Sequence, residues 1–217
     1  MVSAPPKILT NTWVKASWDE FIAIADNPDN SDGLDKAKFY YDRGQMRIED
    51  MTTGSAHALN HFLLSSIISL YGTFKDVNYQ PFDNATFRKT GERNCQPDLA
   101  LYVGETLPDI PNDNDAINVD RYGAPDLAIE ISASTLHDDL GAKRLLYERI
   151  DAREYWIVDV GAAAIIAFSI ADGGSRRIQT SQVLPSLEMS TIEEALRRAK
   201  ADNVSVVNRW LKQQFVD

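Results

Sequence analysis

A charged residue lies inside an otherwise apolar strand pattern in the middle of the chain. The segment LAIEIS at residues 127–132 places its leucine and isoleucines on one face and Glu130 on the other. An ionised carboxylate is costly to bury unless it is paired with a cation or coordinates a metal. Glu130 therefore requires a fold in which a partner of opposite charge reaches the face of this strand.

A second acid lies at the start of a similar strand pattern upstream. QPDLALYV at residues 96–103 alternates apolar and small side chains after Asp98, and we expect this strand to lie beside the strand of Glu130. Two close carboxylates resist joint ionisation, and a hard divalent cation such as Mg²⁺ or Mn²⁺ removes that conflict. Lys143 follows on the next predicted helix, where it can place a positive charge beside an attacking water or a phosphate.

The remaining patterns predict an α/β or α+β domain built around a mixed sheet. A capping box, Ser17 to Glu20, predicts a helix to about Ala25. KFYYDRGQMRIEDM predicts a hairpin, and SAHALNHFLLSSIISLYG predicts a helix that ends at Gly72. A helix over 138–150, three strands beginning with EYWIVDV, and a C-terminal helix from Ser190 complete the order.

The composition limits the possible partners. The chain has 217 residues, which suits one domain, and a net charge of −10, so a nucleic-acid-binding role requires a local basic surface or a bound metal. The best candidates for phosphate contacts are Arg88, Lys89 and Arg93.

A single cysteine excludes an internal disulfide and favours the cytoplasm, and the sequence contains no apolar run of the roughly 20 residues that a membrane span needs.

Several segments together resemble the Uma family of restriction-endonuclease-like proteins, within the PD-(D/E)XK nuclease superfamily. They are QPDLALYV, PDLAIEIS, DDLGAKRLLY, REYWIVD and, upstream, YYDRGQMRIEDMTTGSAH, and the resemblance covers roughly residues 36–170. It implies a restriction endonuclease-like core, a central mixed β-sheet flanked by helices. We expect a single domain over 1–217, with a helical extension at 1–35, the family core at 36–170 and a C-terminal helix at 190–217.

The resemblance also assigns roles within the site. Asp98 and Glu130 match the two acids that hold the metal, Mg²⁺ or Mn²⁺. The superfamily lysine usually stands two residues after the second acid, where this chain has Ser132, and Lys143 fills that role from the following helix. Candidates for supporting roles are Glu49, His57, Asp126, Ser132 and Asp139. For Asp126 we favour a strand-end acid satisfied by turn amides, and Asp139 is more often an acid that complements the helix dipole.

The function implied by the resemblance is metal-dependent endonucleolytic hydrolysis of phosphodiester bonds in DNA. A homodimer is expected, because two sites related by a two-fold axis cut both strands of a duplex most simply. Two alternatives remain open on the residues alone. One is a catalytically silent member of the fold that acts as a binding or scaffold protein, and the other is a metal-free hydrolase that uses its two carboxylates on sugars.

Overall fold

The computed structural model describes residues 9–27, 34, 36–51 and 54–216. Within these residues the strands form two mixed sheets that are flanked by helices, which confirms the predicted α/β class. The strands are β1 (Trp13–Lys15), β2 (Ala37–Asp42), β3 (Gln45–Asp50), β4 (Tyr79–Asp83), β5 (Phe87–Lys89), β6 (Arg93–Cys95), β7 (Leu99–Val103), β8 (Ile117–Asn118), β9 (Leu127–Ser132), β10 (Glu154–Asp159), β11 (Ala164–Ala171) and β12 (Gly174–Ile178). The helices are α1 (Trp18–Ala25), α2 (Ser55–Phe74), α3 (Val119–Tyr122), α4 (Leu136–Asp138), α5 (Arg144–Arg149), α6 (Met189–Arg198) and α7 (Val204–Val216).

The central sheet has the order β12-β11-β10-β9-β7-β4. Strand β9 is parallel to β10 and antiparallel to β7, with Leu99 opposite Ile129 and Ala100 opposite Ala128. The large apolar side chains of β7 and β9 pack on one face with α2, α6 and α7. The opposite face, which carries the two alanines, packs against aromatic side chains of β2 and α5. Tyr155 of the neighbouring strand β10 lies in the same cluster. The alternation predicted for both strands is therefore present.

The second sheet has the order β1-β3-β2-β6-β5-β8 and contains the predicted hairpin, β2 and β3. The capping box of α1 is present: the Ser17 hydroxyl accepts from the Glu20 amide, and the Glu20 carboxylate accepts from the Ser17 amide. Phe21 anchors α1 on the outer side of the hairpin. The segment before residue 36 also contains a strand, β1, which pairs with β3, so it is not purely helical.

The helix predicted over 138–150 has an irregular centre. Between α4 and α5, the backbone of residues 139–143 is kinked at Gly141, whose φ of −101° and ψ of −105° are not helical, and Asp139 and Lys143 on either side of the kink are buried. Glycine tolerates backbone angles that other residues avoid, so it accommodates this kink.

The C-terminal segment forms two helices where the sequence predicts one. A break at residues 199–203 separates α6 from α7, and the Asn203 side chain accepts a hydrogen bond from the Val206 amide at the start of α7. No helix among the described residues has the length and apolarity that crossing a membrane requires.

Candidate active site

The two sheets meet at a cleft of about 300 Å³ that is lined mainly by charged and polar side chains. The hairpin β2–β3 supplies one wall, the first turn of α2 supplies the rim, and the facing ends of β7 and β9 supply the floor. The ionisable residues that line it are Lys38, Arg47, Glu49, Asp50, His57, Asp98, Glu130 and Asp138. A concave site with convergent polar groups is the default candidate for a binding or catalytic site.

Asp98 directly precedes β7 and is held by three groups. Its Oδ1 atom lies 2.6 Å from Lys38 Nζ and 3.3 Å from His57 Nε2, and its Oδ2 atom accepts a 2.6 Å hydrogen bond from the amide of Ile131. Burial alone raises the pKa of Asp98, but Lys38, His57 and this amide outweigh it and hold the pKa well below its usual value. Asp98 is therefore ionised at neutral pH.

Glu130 is oriented by two buried tyrosines. The hydroxyls of Tyr40 and Tyr147 both donate to its Oε1 atom, at 3.0 and 2.7 Å. Its other oxygen, Oε2, lies 3.8 Å from both Lys38 Nζ and Lys143 Nζ. The carboxylate thus has one oxygen fixed by neutral donors and one directed toward cations.

The Glu130 carboxyl titrates near neutrality. Burial raises its pKa to about 7, the two lysines oppose that rise, and the nearby carboxylates of Asp98 and Asp139 add to it. A carboxyl with a pKa in this range is typical of functional sites, where burial and like charges are combined.

Lys143 is enclosed in the protein interior with no exposed surface. Its ammonium lies 2.8 Å from Glu49 Oε2, 2.9 Å from Asp139 Oδ1 and 4.4 Å from the centre of the Tyr40 ring. Burial lowers the pKa of Lys143, but the surrounding carboxylates raise it above its usual value, so the lysine is charged. Lys143 lies 3.8 Å from Glu130 Oε2 but does not line the cleft, so it is not beside an attacking water or a phosphate, where the sequence placed it.

Glu49 and Asp139 are the two acids that lie nearest to the Lys143 ammonium. Glu49 bridges Lys143 and Arg47, whose Nε lies 3.0 Å from Glu49 Oε2; burial raises the pKa of Glu49, but these cations lower it below its usual value. Asp139 accepts a 2.6 Å hydrogen bond from the Thr135 hydroxyl and is fully buried; it contacts Lys143 in the interior and does not line the cleft.

The two histidines of α2 stack at the rim with ring centres 6.2 Å apart. His57, a candidate for a supporting role, contacts the Asp98 carboxylate, whereas His61 lies 3.1 Å from the Asp98 backbone carbonyl and 3.3 Å from Asp83. His57 faces the cleft, and His61 anchors the helix to the start of β7.

Asp126 and Ser132, like Lys143 and Asp139, do not line the cleft. Asp126 accepts a 2.8 Å hydrogen bond from the amide of Val103, the last residue of β7, and pairs with Arg153, so its partners are a strand amide and an arginine rather than the turn amides that we expected. Ser132 is buried at the end of β9, and its hydroxyl lies 3.5 Å from that of Thr135.

The three cations suggested for phosphate contacts do not line the cleft. Arg88 is paired with Asp26 at 2.7 Å, and Lys89 lies 3.9 Å from Glu92. Arg93 is buried and forms ion pairs with Asp42 and Glu92. Each of these side chains already has an acidic partner, so a phosphate at the cleft has to meet other cations.

Sequence reasoning missed four residues of this site: Lys38, Tyr40, Arg47 and Tyr147. Lys38 carried a usable signal, because it is a charge inside the apolar strand pattern AKFYYD, the same anomaly that identified Glu130. The tyrosines carried none, since an aromatic residue in a strand or helix pattern usually indicates core.

The donor set at the cleft fits a hard divalent cation. Among the described residues no three His, Cys, Asp or Glu side chains are arranged as a ready-made metal cage. Mg²⁺ does not need one, because it is usually bound by one or two carboxylates together with waters and substrate phosphates. Asp98 Oδ1 and Glu130 Oε2 both face one positive group, Lys38 Nζ, so the pair already holds a cation.

Comparisons with known proteins agree with this fold. Residues 18–204 match the model of the Uma2 family, which is described as "Putative restriction endonuclease". A solved structure from Anabaena variabilis ATCC 29413, described as "a putative nuclease belonging to DUF820", is similar with a TM-score of 0.56 and 15% identity, over 83% of this chain and 99% of that one. That likeness bears on the fold alone and confirms the restriction endonuclease-like core. No curated protein matches the chain.

Proposed function

The chain belongs to the Uma2 family, and from that premise we propose that it is a metal-dependent endonuclease that hydrolyses phosphodiester bonds in DNA. The observation that carries the proposal is the pairing of Asp98 with Glu130 on adjacent strands, with Oδ1 of one and Oε2 of the other directed at one cation. Hydrolysis of a phosphodiester needs positive charge near the phosphate and an activated water, and this cleft concentrates the groups that supply both.

Asp98 and Glu130 are the residues that would hold Mg²⁺ or Mn²⁺. When bound, such an ion lowers the pKa of a coordinated water and stabilises negative charge on the phosphate. The low pKa of Asp98 keeps it ready as a ligand, and the two tyrosines fix Glu130 so that Oε2 faces the cleft side of the cluster.

Lys143 is a positioning residue in this proposal. Because it is fully buried and surrounded by Glu49, Asp139 and Glu130, it holds the carboxylates in place and favours the ionised form of Glu130. His57, which is partly exposed at the rim and lies 3.3 Å from Asp98 Oδ1, would orient Asp98 and contact a water or the substrate in the cleft.

The net charge of −10 requires that DNA binding depend on local cations and on the metal. DNA binding is therefore expected to weaken steeply as the salt concentration rises, and the slope of this dependence is set by the few phosphates that the protein neutralises.

We also propose a homodimer, since paired sites suit duplex cleavage. A monomeric mass in light scattering at the working concentration would count against it.

One observation favours a second candidate function, a catalytically silent fold that binds a partner. Lys38 Nζ lies where a cation is needed, 2.6 Å from Asp98 Oδ1, and a permanent ammonium there would make a metal unnecessary. Calorimetric titration with MnCl₂ separates the two: a silent site binds no metal, whereas the nuclease does.

The nuclease proposal is tested by incubating plasmid and single-stranded DNA with the protein in Mg²⁺, in Mn²⁺ and in chelator. We expect cleavage with metal, none with chelator, and none from Glu130→Ala under any condition. Cleavage by Glu130→Ala at the wild-type rate would show that the activity does not come from this site.

A further inference from the structure

Lys38 occupies the point between the two carboxylates to which the proposed function assigns a metal. Its side chain is 5% exposed, and its ammonium lies 2.6 Å from Asp98 Oδ1 and 3.8 Å from Glu130 Oε2. We propose that Lys38 is a built-in cation that a divalent metal must displace, so that the metal and the Lys38 ammonium bind this carboxylate pair in exchange for one another. The inference rests on the proposed function and names the residue that controls metal entry.

The geometry at the carboxylate pair favours exchange over addition. The Lys38 ammonium lies 2.6 Å from Asp98 Oδ1 and 3.8 Å from Glu130 Oε2, the two oxygens that would hold the metal. A divalent ion on the same two oxygens would stand within a few ångströms of the ammonium. Two positive charges at that separation repel strongly in a buried site, so the ion and the ammonium compete for one position.

Lys38 also has a route out of the site, which Lys143 lacks. Lys38 lines the cleft, whereas Lys143 does not and has no exposed surface. A lysine side chain has a long flexible stem and a compact charge, so it can swing toward solvent without moving the backbone of β2. There the ammonium meets the space in which a phosphate of the substrate would lie.

The exchange predicts a specific effect on metal affinity. Lys38→Met keeps the length of the side chain and removes the competing charge, and Asp98 and Glu130 then repel each other until a metal binds. We expect Mn²⁺ to bind Lys38→Met at least tenfold more tightly than the wild type in calorimetric titration. Lys75→Met, at an exposed position on the C-terminal side of α2, is the control and should bind as the wild type does. Equal or weaker binding by Lys38→Met would overturn the proposal.

A measurement on the wild-type protein covers the case in which Lys38→Met does not fold. The lysines of the wild-type protein are acetylated with a water-soluble reagent that modifies amines, with and without saturating MnCl₂. Mass spectrometry then gives the acetylation rate at each lysine. We expect the rate at Lys38 to rise several-fold with Mn²⁺ while the rate at exposed Lys75 stays constant. An unchanged rate at Lys38 in the metal-bound protein, or a wild type that binds no Mn²⁺, would contradict the exchange.

The failure of this inference can be told from the failure of the nuclease proposal. If the wild type cleaves DNA with metal but Lys38→Met binds Mn²⁺ no more tightly, the exchange is wrong and the nuclease stands. If the wild type neither binds metal nor cleaves, both are wrong, and the Lys38 ammonium is the permanent cation of a silent site.

Discussion

The Tyr147 hydroxyl donates a 2.7 Å hydrogen bond to Glu130 Oε1 from the buried side of α5. Both residues are buried, and 17 positions separate them in the chain. This bond ties α5, which Lys143 directly precedes, to the strand that carries the second acid. The geometry of the cleft therefore depends on residues that do not line it.

The first prediction concerns this bond. Tyr147→Phe removes the hydroxyl and leaves Tyr40 as the remaining tyrosine donor to Oε1. A hydrogen bond to a charged group contributes about 1.5–3 kcal/mol, and we expect a loss of stability of about that size at pH 8, measured by urea denaturation. Tyr122→Phe, on α3 and outside the cleft, is the matched control and should unfold at the wild-type urea concentration. Equal stability of Tyr147→Phe and the wild type would show that the bond contributes nothing.

The second prediction is a pH dependence set by Glu130. Its native pKa of about 7 lies above its usual 4.5, so the native state binds this proton more tightly than the unfolded state. The stability that the proton provides is present below pH 4.5 and is lost as the pH rises through 7, by on the order of 3 kcal/mol. Glu130→Gln has no carboxyl group at this position and therefore lacks this titration. It leaves the buried carboxylates of Glu49, Asp98 and Asp139 with the buried cations of Lys38, Arg47 and Lys143.

We therefore expect the stability of Glu130→Gln relative to the wild type to increase between pH 5 and pH 8. The measurement is a series of urea denaturation curves for both proteins across this range. A constant difference, or one that falls with rising pH, would show that Glu130 is ionised throughout.

The third prediction concerns Lys143. Lys143→Met leaves Glu49 and Asp139 without their shared buried cation, and breaking a buried ion pair in this way typically costs about 3–5 kcal/mol. We expect a loss of this size in urea denaturation, while Lys75→Met should leave stability within about 0.5 kcal/mol of the wild type. A wild-type stability for Lys143→Met would indicate that the cluster is open to water.

The residues that sequence reasoning placed correctly have local signals. The alternation of LAIEIS and LALYV set which face carries Glu130 and which end carries Asp98, because strand periodicity is a property of neighbouring residues. The order of motifs then placed Lys143 in the helical segment after β9, whereas its burial behind Glu130, away from the cleft, had no local signal. The hairpin, the capping box of α1 and the strands β10 to β12 followed from the same kind of local pattern.

The residues that were missed depend on long-range packing. Lys38 contacts Asp98 across 60 positions of the chain, and Tyr40 contacts Glu130 across 90. Both contacts form only because the β2–β3 hairpin docks against the central sheet, and no local periodicity encodes that docking. The burial of Asp139 also escaped the helical pattern, since the kink at Gly141 changes which residues of this segment face inward.

Two acids with the same local sequence provide the most direct test of the account. Asp98 in QPDLAL and Asp126 in APDLAI each follow a proline at the start of a strand, but Asp98 contacts Lys38 in the cleft and Asp126 pairs with Arg153 outside it. The measurement is the rate of plasmid cleavage in Mn²⁺ by Asp98→Asn, Asp126→Asn and the wild type. The account predicts cleavage reduced at least 100-fold in Asp98→Asn and retained within a few-fold in Asp126→Asn. Equal rates for the two variants would contradict the assignment of this cleft as the active site.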